Sequence, residues 1–340
     1  MLAEQLGGAA EALRVGGGPD AEAVHDVRKR LKRARSMLRL ARADLGPAVA
    51  RHGNDQLRRV GGDLARQRDA DALVEAVDRL SVAAVAVPAS TSSAAPATIE
   101  ALAVVHGLLT ERAEQVRDQG GLDRATVIGA ARTLEQSVAW LNLVPARATG
   151  WDALAPGFAR QYQRGRDSLL GLADEPSVDE LHEWRKRVKD LWHHQRLLRK
   201  LWPEAQRPLV DAAAEVAGAL GDDHDLGLLL AHLASHADDG DAYGRSAIGT
   251  IEPLPLAHEV RRLATAAAVA SRSDLQGLAR RLGARLYADD PRAWRARHGA
   301  WWDAARHDLV PEEGADRVGR DAGTAGLGPL PDPSPDEANA

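Results

Sequence analysis

Residues 24–42 read V-H-D-V-R-K-R-L-K-R-A-R-S-M-L-R-L-A-R, and residues 181–198 read L-H-E-W-R-K-R-V-K-D-L-W-H-H-Q-R-L-L. His25, Arg28, Lys29, Arg30, Lys32 and Arg39 recur as His182, Arg185, Lys186, Arg187, Lys189 and Arg196, at a constant offset of 157. A long pattern repeated once at that distance implies two copies of a domain-sized unit, not a short-repeat solenoid. Lysine usage sharpens the match. The chain's lysines are Lys29, Lys32, Lys186, Lys189 and Lys200, so all but one fall at the paired positions. A compact, rotatable point charge is wanted there, where arginine serves elsewhere.

Both stretches have the period of a helix. At about 100° per residue, Val24, Val27, Leu31, Ala34 and Leu38 form an apolar stripe, the expected buried face. His25, Arg28, Lys29, Lys32, Arg35, Ser36 and Arg39 share another face. The second copy presents His182, Arg185, Lys186, Lys189, His193 and Arg196 in the same way. Like charges three and four residues apart on a helix repel by a few tenths of a kcal/mol per pair, roughly. Concentrating them in a chain whose net charge is −5 calls for a compensating polyanion or carboxylate.

The remaining pattern is helical throughout. Ala, Leu and Arg dominate, and no segment alternates with period two for long enough to make a strand. Helices are expected at about 2–15, 48–80, 99–118, 123–143, 155–172, 177–202, 204–237, 256–270, 274–287 and 291–306, beside the first basic helix. The expected architecture is all-α, with two helical bundles at 1–146 and 151–306 related by a pseudo-two-fold, a basic groove, and a disordered acidic tail at 307–340. A chain without cysteine has no disulfide framework, thiolate metal site or cysteine nucleophile, and fits a reducing cytoplasm. No signal peptide or apolar run of membrane-spanning length is evident.

The doubled H-x-x-R-K-R-x-K at residues 25–32 and 182–189 resembles the CHAD family, named for a conserved-histidine α-helical domain. Tyr162-x-x-Gly165-Arg166 is similar to the family's lead-in to the motif. Asp69 and Asp225 match the acidic residue that ends an L-x-x-x-x-D signature in each half. The resemblance covers residues 1–305. It implies two four-helix-type bundles, a basic groove, binding of inorganic polyphosphate and no catalytic activity of the domain itself. The E-x-E-x-K signature of the CYTH triphosphatase domain that often accompanies the family is absent, so the chain is similar to a stand-alone form. One departure stands out: Asp222 and Asp223 replace Arg66 and Gln67 of the first half. This predicts weaker anion binding in the second half, or a carboxylate directed at a histidine.

Polyphosphate carries about one charge per phosphate and is held by many Lys and Arg contacts with release of counterions. The expected contacts are His25, Arg28, Lys29, Lys32, Arg35, Arg39, His182, Arg185, Lys186, Lys189, His193 and Arg196, then Arg58, Arg68, Arg164 and Arg166. No cofactor is expected. The competing reading of the basic stripes is two solvated helix faces. A metal module accessory to phosphate-ester hydrolysis is a second alternative, resting on His182, His193, His194, His224, Asp222, Asp223 and Asp225, but these lack an H-x-x-x-H or H-E-x-x-H pair. A nucleic-acid or adaptor module is a third, disfavoured by the acidic net charge and the absence of a DNA-binding motif. Membrane association is not expected, and oligomeric state is open.

Overall fold

The computed structural model describes residues 2–14, 21–64, 68–86, 95–119, 124–145, 147–234 and 254–309. Twelve helices and no strand occur among the described residues: α1 (Leu2–Ala12), α2 (Ala21–Leu40), α3 (Arg42–Leu45), α4 (Pro47–Asp63), α5 (Arg68–Ala86), α6 (Ala95–Gln119), α7 (Arg124–Asn142), α8 (Gly150–Leu170), α9 (Val178–Leu198), α10 (Pro203–Leu233), α11 (His258–Leu286) and α12 (Pro291–Leu309). The chain is all-α, as its periodicity requires. The basic repeats lie on α2 and α9. Ser177 and Glu180 start α9 with a reciprocal capping box, in which the Ser177 amide donates to Glu180 at 2.8 Å and the Glu180 amide donates to Ser177 Oγ at 3.2 Å. This satisfies two amides that the helix itself leaves without partners.

Three expected helices divide differently. The expected helix at 48–80 is two, α4 and α5, with the first ending beyond Gly61-Gly62. Arg28 helps to end it, donating from Nη1 to the Leu64 carbonyl at 2.9 Å. The expected pair at 256–270 and 274–287 is one helix, α11, running through Ser271-Arg272-Ser273. Arg272 is held from the side by Asp223 at 2.9 Å, so tertiary pairing overrides the weak helix propensity of the serines. The acidic tail expected at 307–340 falls outside the described residues from 310 onward.

Three clusters of buried side chains organise these helices. The first joins α1, α2, α4 and α7 through residues such as Leu6, Val27, Leu31, Leu57 and Leu134. The second joins α8 and α9 to parts of α10, α11 and α12, around Phe158, Tyr162, Trp184, Val188 and Trp294. The third takes Leu73 and Val77 from α5, Leu102 and Val105 from α6, Leu226 and Leu229 from α10, and Ala264 and Ala268 from α11. The core therefore does not separate at residues 146–151, because the third cluster draws on both halves. Leu40, at the end of α2, belongs to the second cluster.

The halves also meet at α2 and α8. A Cβ on Gly157 would fall on the Leu40 carbonyl, so only glycine allows this approach of helix to backbone. Tyr162 and Gly165 of the lead-in are packing residues. Tyr162 stacks on Trp294 with ring centroids 4.3 Å apart and donates its hydroxyl to the Leu286 carbonyl at 3.1 Å. Burial, followed by the nearby Asp289 carboxylate, pushes its phenol up to about 12. Gly165 leaves room for the Tyr287 ring.

Candidate anion-binding site

The buried stripe of α2 is as expected: Val27, Leu31, Ala34 and Leu38 are all within the core. Its basic face, however, is only partly a surface. At its C-terminal end α2 packs on α9, and Ser36, expected on the basic face, is fully buried there. Ser36 Oγ lies 3.0 Å from His194 Nε2. Burial is the larger cause that lowers the His194 pKa, so the imidazole is held neutral.

One turn further, Arg39 donates from Nε to Asp190 at 2.8 Å and also from Nη2 to its other carboxylate oxygen. Asp190 is essentially inaccessible. Arg187 stands 3.8 Å from the same carboxylate. Arg39 and Arg35 both donate to Asn54 Oδ1, at 3.2 and 3.0 Å. Arg39 is thus first an inter-helix tie, and Asp190 is its counter-ion. Asp190 was not among the expected site residues, although it is a carboxylate at the position in the second stretch where the first has Arg33.

Around this tie the arginines outnumber the carboxylates. A recess of about 210 Å³ between α2, α3, α4 and α8 is lined by Arg39, Arg42, Arg51, Arg160 and Arg164, together with Ala50, Asn54 and Gln161. Among the described residues, no carboxylate lines it. Burial lowers the Arg35 pKa, Arg39 and Arg58 lower it further, and Asp190 and Asp55 oppose them. Burial likewise lowers the Arg164 pKa, with Arg187 and Arg160 adding. Crowded, partly desolvated guanidiniums with lowered pKa values are the electrostatic condition that an incoming anion relieves. Of the expected contacts, Arg35, Arg39, Arg58 and Arg164 meet here. Arg42, Arg51 and Arg160 were not among the expected contacts: Arg42 closes the first basic stretch and recurs as Arg199 at the same offset, whereas Arg51 and Arg160 lie outside the repeat and only the tertiary fold gathers them.

A second basic group forms on α9, where Lys189 and Arg196 surround His193 together with Arg33 of α2. Burial first, then these cations and His194, hold His193 well below the usual histidine pKa. Arg196 lies over the Trp192 ring at 4.8 Å.

The motif's N-terminal residues are more dispersed. Lys29 and His25 are half-buried, Lys32 is exposed, and exposed Lys186 is paired with Glu183. Arg28 is occupied in part by its bond to Leu64. The His182 ring faces His224, with centroids 5.0 Å apart, and Arg185 lies near both. Burial is the main cause that lowers both histidines, His224 to about 4. Arg166 is half-buried and outside the recess lining. The Arg68 and Asp69 side chains lie outside the described residues.

The carboxylates of Asp222, Asp223 and Asp225 pair with arginines. Arg79 of α5 reaches Asp222 at 3.2 Å and Asp225 at 3.3 Å, tying the halves together. Asp223 accepts from Arg272 at 2.9 Å and from Gln276 at 2.7 Å. Among the described residues, no three His, Asp or Glu side chains are grouped to hold a metal ion. Among the same residues, no helix is long and apolar enough to cross a membrane.

No curated protein matches the chain. Among solved structures, PptA from Streptomyces chartreusis superposes with a TM-score of 0.53 and 17% identity, covering 85% of this chain and 96% of that one. At that identity the likeness is one of fold. The CHAD domain profile matches residues 2–234, which include both copies of the basic motif. The chain belongs to the CHAD family.

Proposed function

We propose that this protein binds inorganic polyphosphate and does not act on it chemically. The observation that carries the reading is the convergence of Arg39, Arg42, Arg51, Arg160 and Arg164 on one carboxylate-free recess, with Arg35 and Arg58 beside it. The doubled basic motif of a CHAD domain supports it. Guanidinium forks match phosphate oxygens, while the four motif lysines supply mobile charge along a flexible chain. The basic stripes of α2 and α9, from an ancestral duplication at the 157-residue offset, would then hold successive phosphates. A cytoplasmic protein that joins or regulates polyphosphate granules fits this chemistry.

Calorimetric titration with long-chain polyphosphate across a salt series tests the reading, beside single-stranded DNA of equal charge. If ~8 phosphates are neutralised, log K falls against log salt with a slope of roughly −6, by analogy with single strands. Loss of binding in Lys29→Ala/Lys32→Ala/Lys186→Ala/Lys189→Ala is the expected result. Equal affinity for DNA would refute polyphosphate selectivity.

A further inference from the structure

We propose that the arginine recess is an end-binding site, which takes the terminal phosphate of a phosphate chain while the faces of α2 and α9 take internal phosphates. The inference rests on the polyphosphate reading and goes beyond it by assigning two kinds of phosphate to two places.

The recess has a floor and a rim. Ala50 and Gln161 are buried, at 4% and 3% exposure, and form the floor, whereas Arg51, Arg160 and Arg164 are exposed at the mouth. Such a shape receives a chain end more readily than a chain passing through. The two kinds of phosphate also differ in charge. An internal phosphate has one ionised oxygen, whereas a terminal phosphate has a second that titrates near pH ~6, as in a phosphomonoester. The end therefore carries up to twice the charge and one more non-bridging oxygen. Arginines from four helices around about 210 Å³ provide for that charge density.

Two neutral amides add specificity. Asn54 accepts from Arg35 and Arg39 through Oδ1. Guanidinium groups only donate, so this amide's oxygen must face them and its NH2 is turned away, available to an oxyanion in the recess that Asn54 lines. Gln161 Oε1 is buried with no hydrogen-bond partner among the described residues. A buried amide oxygen left so is costly. A terminal phosphate can relieve it, because its P–OH form donates to the amide oxygen. An internal phosphate has no such hydroxyl.

The test compares uncapped polyphosphate with chains of the same length whose terminal phosphates are blocked as phosphoramidates. Calorimetry at constant ionic strength is the readout. Capping is expected to weaken binding about tenfold. At equal total phosphate, shorter uncapped chains that still span the recess and the helix faces should bind more tightly per phosphate, because they offer more ends. Arg160→Ala/Arg164→Ala, at exposed positions, should abolish the difference between capped and uncapped chains while capped chains still bind. Gln161→Leu should reduce that difference without removing it. Equal binding of capped and uncapped chains by the unmodified protein would overturn the end site and leave the polyphosphate reading standing. Failure to bind either would overturn both.

Discussion

Arg39 and Asp190 join the two basic helices where their stripes cross, the arginine forking across both oxygens of a carboxylate that is 1% exposed. The stripe of α2 is thereby divided in function. Residues toward its N-terminus remain on the surface, and those toward its C-terminus, Ser36 and Arg39, become an interface with α9.

Removing one member of this pair leaves the other with an uncompensated charge. Asp190→Ala is expected to destabilise the fold by about 3 kcal/mol, in the range for broken buried pairs. Arg39→Met/Asp190→Leu should cost less than Asp190→Ala alone, because no lone charge remains. Urea unfolding of the three proteins measures this.

Gly157 and Gly62 make opposite predictions for the same substitution. Gly157→Ala drives a methyl into the Leu40 carbonyl and should destabilise by about 3 kcal/mol or more, as an overpacked contact with backbone. Gly62→Ala meets nothing within 4 Å in the last turns of α4 and should stabilise by about 0.5–1 kcal/mol through lower unfolded-state entropy. Thermal unfolding of both variants separates them.

Arg28 belongs to the basic motif, yet its guanidinium is bonded to the end of α4. Arg28→Ala is expected to cost about 1 kcal/mol of stability for the lost bond and to leave the salt dependence of polyphosphate binding nearly unchanged. Arg160→Ala should do the reverse, with stability within about 0.5 kcal/mol of the parent and the slope reduced in magnitude by about 0.7. Paired unfolding and salt-series titrations check both.

Stability should fall as the solution is acidified from neutrality. Burial depresses His224 and His298 to about 4 in the folded protein, against about 6.5 in the unfolded chain. Between these values the unfolded state binds more protons, so unfolding becomes easier as pH drops, and below about 4 the effect of these groups levels off. At His298, Nδ1 lies 2.9 Å from the Trp294 carbonyl and must carry the proton, so Nε2 faces Gln195 as an acceptor. His298→Gln should flatten the pH dependence of the unfolding midpoint between about 4 and 6.5 relative to the parent.

Much of the helical framework is legible in the chain. The apolar stripe of Val27, Leu31, Ala34 and Leu38 has one period and one solution, and the helix expected from residue 177 is α9, which begins at Val178. Residues 48–80 and 256–287 were harder. A glycine pair and a serine pair look alike as interruptions, and which one ends a helix depends on partners such as Leu64 for Arg28 and Asp223 for Arg272. Arg35 and Arg39, which stand at the candidate recess, fall within the first basic stretch of the sequence. Arg51 and Arg160 carry no local pattern that distinguishes them from other surface arginines, whereas Arg42, matched by Arg199, ends the first basic stretch.

The sequence by itself determined that this chain is helical, that it contains a doubled basic motif, and that lysine is kept at four positions of that motif, because periodicity and residue choice are local properties. Only the tertiary structure decided which cations meet. The close approach of α8 to α2 at Gly157 places Arg160 and Arg164 opposite Arg42 and Arg51, and the crossing of α2 and α9 assigns Asp190 to Arg39. Charges so far apart in the chain act on one another only when packing brings them within a few ångströms and removes the water between them.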